Sequence, residues 1–463
     1  MKVGTADPTG WPTAAPPARA FRVAEGLVLV AFAVMLVRNA LVYPAIAGID
    51  ASEHIRHAWE LVVNGRLDAS GSYYTPPGWY VIAGELLRLG DWLDLESYEQ
   101  PAQLLSAGLT VATAVVLLGL VGRVFPGRPW LRLWSLAAFC ACPAVVKPAA
   151  MVHPQPLVLF LSALALYLLV VMVGAGRWSL VAGAGLGLVL GAGQLVRSVG
   201  LWTFVAVALT FAAAFALRLG DRRRIAAVAG TALALGILVP LPWYAYLQIE
   251  YGDPIFGGRP EIRQGVGELT FAADVGAPPP APPPPLRAPL SFFTTTGLPE
   301  TVTEPYRGGL RPAFVPVVLV DSWGDYFGQW RWGIPDAVLD PPDRRRLRAQ
   351  ALVGLPLAFT AASGLVALGV LLVLSPRRRL TYLPIVAVPL LAVASLAVYA
   401  WRYPSFDGDT VKALFLLPAA PSLAAAFGFA VDVGRTSLPR PVRVAGAGVL
   451  AVALLVSLEF CLA

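Results

Sequence analysis

The polar segment after the first apolar run carries side chains suited to acid–base chemistry. Asp50 is followed by Glu53, His54 and His57, at spacings of three, four and seven residues. If residues 52–64 form a helix, these spacings place the side chains on one helix face. Carboxylates and imidazoles are common proton-transfer groups in enzymes. We therefore predict that Asp50 and Glu53 are catalytic and that His54 and His57 bind a substrate.

An alternative interpretation of this segment is purely structural. Asp50 or Ser52 would cap the N-terminus of the helix, and the other polar groups would form a solvated face. Under the catalytic interpretation, Asp50 lies near the membrane and is partly withdrawn from water. Burial disfavours the charged form of a carboxyl group, so we expect a raised pKa for Asp50, closer to that of a base working at neutral pH.

A turn rich in aromatic residues and proline follows, with the sequence YTPPGWY at residues 74–80. Its two prolines interrupt any helix and stiffen the turn. Tyr74 and Trp79 supply flat rings with a polar edge, which suit the faces of a sugar. Such rings are equally typical of a membrane interface. Both interpretations stay open, and Tyr74 and Trp79 are candidate substrate-binding residues.

A second polar segment, DSWGDYFGQWRW at residues 321–332, mixes carboxylates with aromatic rings. This combination is typical of carbohydrate sites, and Asp325 is our candidate for a substrate contact there. The alternative is an interfacial amphipathic helix with an aromatic belt.

Cations and one histidine occur in short polar turns between apolar runs. Arg197 lies in GQLVRSVG, Arg402 and Lys412 lie in WRYPSFDGDTVK, and His153 lies in VVKPAAMVHPQP. A charge in such an apolar context is costly unless it faces a polar cavity or an anion. The four residues are therefore predicted to bind a substrate, with the cations on a phosphate. The alternative is that the cations extend to the membrane interface and bind nothing.

The composition indicates which elements hold these residues. Of 463 residues, 57% are hydrophobic and 14% are charged, whereas a soluble chain carries about 25% charged residues. Lipid must therefore be the solvent for much of the surface. We predict an all-α membrane protein, a polytopic bundle of about 11 transmembrane helices whose outer loops carry short amphipathic helices. The predicted spans are 22–43, 102–122, 131–147, 154–174, 178–195, 199–218, 225–246, 351–374, 380–400, 411–432 and 443–461.

Arginine clusters predict the orientation of the spans. They fall in alternate loops, which is the positive-inside pattern of cytoplasmic loops. The N-terminus is then cytoplasmic, and all three histidines lie outside. The predicted organisation is a disordered cytoplasmic N-terminus at 1–20, an N-terminal transmembrane module at 21–247 with an outer catalytic loop at 44–100, a large outer loop at 248–350 with a proline-rich spacer at 277–289, and a C-terminal transmembrane module at 351–463.

Several functional classes are disfavoured by the residue pattern. The net charge of +7 does not indicate nucleic-acid binding, because the basic residues lie in short clusters between apolar runs. Cys140, Cys142 and Cys461 lie in or beside apolar runs, so they predict neither a disulfide framework nor a metal site. A divalent metal stays open as a cofactor, although no carboxylate pair is placed to hold one with Asp50.

Several motifs, taken in order along the chain, resemble the membrane-embedded GT-C glycosyltransferases, such as the protein O-mannosyltransferases and the aminoarabinose transferases of lipid A. They are an acidic residue where the first span ends, then DASEH, the aromatic–Pro–Pro–aromatic turn, HPQPLVLFLSALALYLL, LVRSVGLW, DSWGDYFG and DGDTVKALFLLPAAPSLA. The resemblance implies a helical bundle with an outer-face active site, a polyprenyl-phosphate sugar donor and an inverting transfer. It assigns catalysis to Asp50. The family often has Glu directly after this Asp, whereas here Ala51 follows and Glu53 comes later.

The predicted function is transfer of a sugar from a polyprenyl-phosphate donor to a glycan, lipid or protein acceptor. The reaction would occur at the outer face of the bacterial cytoplasmic membrane, with membrane lipid around the protein. The alternative function is a transporter or lipid flippase for a glycolipid or polyprenyl carrier. That class favours ionisable residues near the middle of spans and broken helices in paired halves.

Overall fold

All regular secondary structure in the described part of the chain is helical. A computed structural model describes residues 19–48, 50–65, 75–176, 178–252, 254, 287–328, 330, 341–375, 379–402 and 411–463. Tyr74 and most of the proline-rich spacer lie outside these ranges.

Eight helical segments in the described part are long and apolar enough to cross a membrane. This confirms the predicted all-α, polytopic membrane fold. They contain α1 (Arg19–Val42), α4 (Gln100–Val124), α7 (Gln155–Gly174), α9 (Leu201–Ala216), α15 (Pro341–Leu374), α16 (Arg379–Arg402), α17 (Ala420–Ser437) and α18 (Arg440–Phe460).

Three of the predicted spans do not form a single long helix in the structure. Helix α5 (Pro129–Cys140) meets α6 (Pro143–Val146) and a 3-10 turn (Lys147–Ala150) at 65°, and α10 (Arg222–Leu238) meets α11 (Leu241–Tyr251) at 47°. A proline lies at or next to each break, where it removes a backbone donor. The third predicted span is the 17-residue α8 (Leu180–Val196), which ends directly before Arg197.

Several hydroxyl groups inside the bundle donate hydrogen bonds within their own helices. Thr110 donates to the carbonyl of Ser106 at 2.9 Å, and Thr210 donates to that of Ala206 at 2.8 Å. This bonding suits a helix in an apolar medium, where an unpaired polar group is costly.

Two helices of the first predicted outer loop pack against each other, α2 (Ala51–Val63) and α3 (Gly78–Trp92). The predicted helix at 52–64 is thus confirmed as α2. A Cβ atom at Gly84 would overlap the backbone carbonyl of Ala58, so the glycine permits this close approach. The two helices bury Ile55, Ala58, Trp79 and Ala83 in a shared cluster.

The second predicted outer loop also contains short helices. They are α12 (Leu290–Thr294), α13 (Leu298–Thr303) and α14 (Phe314–Trp323). Helix α15 starts at Pro341 and therefore extends beyond the predicted span, which begins at 351. Tyr326, Phe327 and Trp330 are buried, so these rings serve the packing of the protein rather than an exposed aromatic belt.

Ion pairs join the predicted cytoplasmic loops at the other end of the bundle. Arg128 pairs with Asp432 at 2.7 Å, and Arg132 pairs with Glu25 at 2.8 Å. Asp432 also pairs with Arg435 at 3.1 Å. These contacts account for part of the arginine clustering, since the cations connect α1, α5 and α17.

Candidate active site

Asp50 lies between α1 and α2, at the N-cap position of α2. Its backbone is left-handed with φ of 56°, and its side chain makes no capping hydrogen bond. A left-handed backbone is uncommon outside glycine, and strained residues of this kind are concentrated at functional sites. The structure therefore does not support the interpretation of Asp50 as a simple helix cap.

The carboxylate of Asp50 is paired with Lys412. Nζ of Lys412 lies 3.5 Å from Oδ2 of Asp50, and the side chains are 14% and 47% exposed, respectively. Lys412 immediately precedes a 3-10 helix (Ala413–Ala419) that continues into α17. The structure thus brings together two predicted site residues from the first outer loop and the turn before α17.

His54 and His153 form a ring pair beside Asp50. Their ring centroids are 4.5 Å apart at 85°, and both side chains are buried. Nδ1 of His54 lies 2.8 Å from the hydroxyl of Tyr80. Nε2 of His54 has no hydrogen-bond partner among the described residues. A buried orphan atom of this kind is unusual and identifies a position where a ligand or water can bind.

A backbone contact determines the tautomer of His153. The N–H of Gln155 donates to Nδ1 of His153 at 3.2 Å. An accepting ring nitrogen carries no proton, so neutral His153 holds its proton on Nε2. That nitrogen is then a hydrogen-bond donor without a positive charge.

Arg197 directly follows the last residue of α8, where its charge interacts favourably with the helix dipole. Its side chain is buried, and Nη1 donates to Oγ1 of Thr75 at 3.0 Å. The guanidinium carbon also lies 5.7 Å from the ring centroid of Phe415. These contacts hold the cation in place and connect it to the 413–419 3-10 helix.

The charges of this cluster shift the pKa values of its members. Burial alone would raise the pKa of Asp50, but Lys412, His54 and Arg197 together hold it below the usual value. The expectation of a raised pKa was wrong, because the nearby cations outweigh desolvation. Burial and the field of Arg197 lower the pKa of His54 to about 3. Burial and neighbouring His54 and Arg197 also lower the pKa of His153 well below its usual value.

Two residues predicted on the same helix face as Asp50, Glu53 and His57, contact other side chains instead. Glu53 is exposed and pairs with Arg56 at 2.5 Å. His57 is buried, with its ring 5.5 Å from that of Tyr80.

The remaining predicted substrate-binding residues have contacts that do not include Asp50. Trp79 is fully buried in the cluster between α2 and α3. Asp325 is buried, pairs with Lys147 at 3.4 Å and accepts from the backbone of Trp330 at 2.9 Å. Arg402 is exposed at the end of α16. Tyr74 lies outside the described residues.

Three residues that were not among the predicted site residues complete the site. Thr75, Tyr80 and Phe415 contact Arg197 or His54. Thr75 and Tyr80 belong to the aromatic–proline turn, but no local spacing relates them to their partners on other helices.

An open groove of about 260 Å³ lies along α2. The rings of Trp59 and Tyr98 meet there, with centroids 5.7 Å apart. The lining residues are Ile46, Ser52, Ile55, Arg56, Trp59, Glu60 and Tyr98. Two of its lining residues, Ile46 and Ser52, flank Asp50 in sequence. The groove combines aromatic rings with polar groups. Among the described residues, no three His, Cys, Asp or Glu side chains lie together as possible metal ligands.

The fold has counterparts among solved structures. The oligosaccharyltransferase AglB from Archaeoglobus fulgidus, in complex with an inhibitory peptide and a dolichol-phosphate, matches 96% of this chain with a TM-score of 0.54 and 13% identity. An Archaeoglobus fulgidus oligosaccharyltransferase in its apo form matches 94% of this chain with a TM-score of 0.52 and 15% identity. AglB is a GT-C glycosyltransferase. The chain has a GT-C fold.

The chain spans about half the length of these archaeal proteins, since it covers 55% of AglB in the complex and 54% of the oligosaccharyltransferase in the apo form. ArnT from Cupriavidus metallidurans bound to undecaprenyl phosphate is also similar, with a TM-score of 0.39, 17% identity, and 90% of this chain and 80% of that chain covered. Scans of the sequence against family models and curated proteins find no match.

Proposed function

We propose that this protein is a glycosyltransferase that moves a sugar from a polyprenyl-phosphate donor to an acceptor hydroxyl. The observation that carries the proposal is the Asp50–Lys412 pair at 3.5 Å, together with buried Arg197. A carboxylate beside two cations suits a reaction that needs a base and releases a phosphate. The GT-C fold supports the same class of reaction.

The proposed reaction uses the groups of the cluster in separate roles. Lys412 and Arg197 bind the donor phosphate, and Nε2–H of His153 donates a hydrogen bond to it. Asp50 accepts the proton of the acceptor hydroxyl. The acceptor oxygen forms a bond to the anomeric carbon as the bond from that carbon to the phosphate oxygen breaks. The polyprenyl phosphate leaves with the bonding electrons, and attack from the opposite face inverts the anomeric centre.

We place the acceptor in the groove along α2. Its aromatic rings suit the apolar faces of a sugar. Arg56 is paired with Glu53, and Oε2 of Glu60 accepts from Asn64 at 2.6 Å. The groove therefore favours an uncharged acceptor over an anionic one.

The predicted orientation is part of the proposal. We infer that the site faces the outside of a bacterial cytoplasmic membrane, with segments 44–100 and 248–350 on that side. Convergence of Asp50, His153, Arg197 and Lys412 supports a single side for the turns that carry them. The arginine loops support the opposite side as cytoplasmic.

The decisive experiment measures binding and transfer separately. The protein in nanodiscs is tested for binding of undecaprenyl phosphate and for transfer from polyprenyl-phosphate sugars. A glycosyltransferase requires Asp50 for transfer but not for binding the carrier. A flippase has no need of a base. The proposal would be overturned if the wild type transferred no sugar and Asp50→Asn transported the carrier at the wild-type rate.

A further inference from the structure

The 413–419 3-10 helix starts in an unfavourable way. Its N-cap residue is Lys412, which makes no side-chain capping bond. A lysine side chain has no hydrogen-bond acceptor, and its charge opposes the positive end of a helix. The first N–H groups of this helix therefore need an acceptor from another part of the chain.

Asp321 supplies that acceptor. Its Oδ2 accepts a hydrogen bond from the backbone N–H of Ala413 at 2.7 Å, across 92 positions of sequence. Asp321 lies in the last turn of α14 and is 3% exposed. A buried, charge-assisted hydrogen bond of this kind is strong and directional. It attaches the second predicted outer loop to the start of the 413–419 helix.

The 413–419 helix in turn lies next to both cations of the site. Lys412 precedes its first residue and extends to Asp50. Phe415, whose N–H donates to the carbonyl of Lys412 at 3.1 Å, lies under the guanidinium of Arg197. A shift at Ala413 would therefore displace Lys412 and the aromatic support of Arg197 together.

Space beside this contact allows such a shift. A cavity of about 20 Å³ adjoins Asp321, Lys147 and Ala413, which is room for roughly one water molecule. The hydrogen bond from Ala413 to Asp321 therefore holds the start of the 413–419 helix on the side where packing leaves this space.

We propose that Asp321 is a positioning residue, which places Lys412 against Asp50 and thereby sets the affinity of the site for the donor phosphate. The inference rests on the proposed function. It also assigns a role to the second large loop, which brings the carboxylate to the site without contacting substrate.

The test is a double-mutant cycle on binding of undecaprenyl phosphate to the full-length protein in nanodiscs. Lys412→Ala and Asp321→Ala are each expected to weaken binding, on the order of tenfold for Lys412→Ala. The double variant is expected to lose less binding than the sum of the two single losses, because Asp321 acts in part through Lys412. Asp321→Asn keeps an acceptor oxygen and should bind nearly as well as the wild type.

A second variant removes the same hydrogen bond from the other partner. Ala413→Pro deletes the donor N–H at the first position of the helix, where proline is tolerated. Lys412 has φ of −96° and ψ of 126°, a conformation compatible with a following proline. Ala413→Pro should therefore weaken binding as Asp321→Ala does, even if Asp321→Ala fails to fold. Asp432→Ala controls for loss of a buried carboxylate at the opposite end of the bundle, and it should leave binding unchanged.

The outcomes separate the two proposals. Unchanged binding by Lys412→Ala overturns the phosphate role of Lys412 and, with it, part of the proposed function. Weakened binding by Lys412→Ala with wild-type binding by both Ala413→Pro and Asp321→Ala overturns the positioning role alone. Additive losses in the double variant, or an equal loss in Asp432→Ala, would also overturn it, because a general loss of stability would then explain the effect.

Discussion

Lys412 Nζ lies 3.5 Å from Asp50 Oδ2, although 362 positions separate the two residues in the chain. Both side chains retain access to solvent, so the pair itself contributes little to stability, about 0–1 kcal/mol. Its importance is chemical. In the proposed reaction, a donor phosphate on Lys412 would compete with Asp50 for the ammonium group, and the basicity of Asp50 would then rise.

Replacement of Asp50 by Asn should abolish most sugar transfer. Asn tolerates a left-handed backbone as Asp does, and no capping bond is lost because the Asp50 side chain makes none. We expect transfer to fall on the order of a hundredfold or more, with binding of undecaprenyl phosphate retained. Rates are measured with radiolabelled polyprenyl-phosphate sugars, and binding by calorimetry.

Glu53→Gln is the matched control for Asp50→Asn. Glu53 is exposed and paired with Arg56, so its charge is screened and its replacement should change transfer only a few-fold. A loss as large as that of Asp50→Asn would instead assign the base role to Glu53.

Neutralisation of Arg197 should weaken donor binding. Arg197→Gln removes a buried cation, and we expect a loss of about 1.5–3 kcal/mol in binding of undecaprenyl phosphate. Arg88→Gln is the control, because Arg88 is an exposed cation on α3 paired with Glu85 at 2.5 Å. Equal affinity of Arg197→Gln and wild type would show that Arg197 serves only the contact with Thr75.

Lys412 should also determine the pH dependence of transfer. The lowered pKa of Asp50 keeps the base ionised down to acidic pH, so wild-type kcat/KM should lose activity only below the usual Asp range, about pH 4. Removal of Lys412 removes the largest stabilising charge on Asp50 and raises its pKa. The acidic limb of kcat/KM in Lys412→Ala should therefore move to higher pH. An acidic limb of Lys412→Ala at the same pH as that of the wild type would show that the ion pair does not set the pKa of the base.

The sequence predicted the helical elements well because their signal is local. Apolar runs of sufficient length indicate spans, and the charged residues of the turns identify where the spans end. Even the short α8 and the breaks near proline lie within predicted runs. The same reasoning explains why four predicted site residues lie close together, since residues at the same end of neighbouring spans meet in a bundle. They are Asp50, His153, Arg197 and Lys412.

The contacts within the site could not be predicted in this way. The spacing of Glu53 from Asp50 indicates a common face only if the helix includes both residues, and the left-handed backbone of Asp50 ends that regularity. Glu53 therefore faces solvent while His54 is buried. The pairing of Asp321 with Ala413 joins distant segments, and no periodicity connects them. The lowered pKa of Asp50 could not be predicted either, because it depends on cationic neighbours from distant segments.

The proposed orientation predicts which surfaces are accessible from outside the cell. In a variant without the three native cysteines, Glu85→Cys on α3 should react with a membrane-impermeant maleimide in intact cells. Arg222→Cys at the start of α10 should react only after the cells are opened. Both side chains are exposed, so reactivity reports the side of the membrane. Labelling of Arg222→Cys in intact cells would reverse the proposed topology.

The buried histidines predict a stability that depends on pH. His54 has a folded pKa of about 3, whereas an unfolded histidine titrates near pH 6.5. Between these values the unfolded chain binds a proton on His54 and the folded protein does not. The free energy of unfolding should therefore fall as pH falls below about 6.5, by about 1.4 kcal/mol per pH unit for each such histidine. His153, whose pKa is also lowered, adds to this slope.

The measurement is the thermal unfolding midpoint in detergent between pH 7.5 and pH 5. His54→Gln retains a polar partner for Tyr80 but cannot titrate, so its midpoint should fall less steeply with acidification than that of the wild type. Arg88→Gln should keep the wild-type slope. Parallel curves for His54→Gln and wild type would mean that His54 already binds a proton in the folded protein, and the neutral histidine pair beside Asp50 would have to be abandoned.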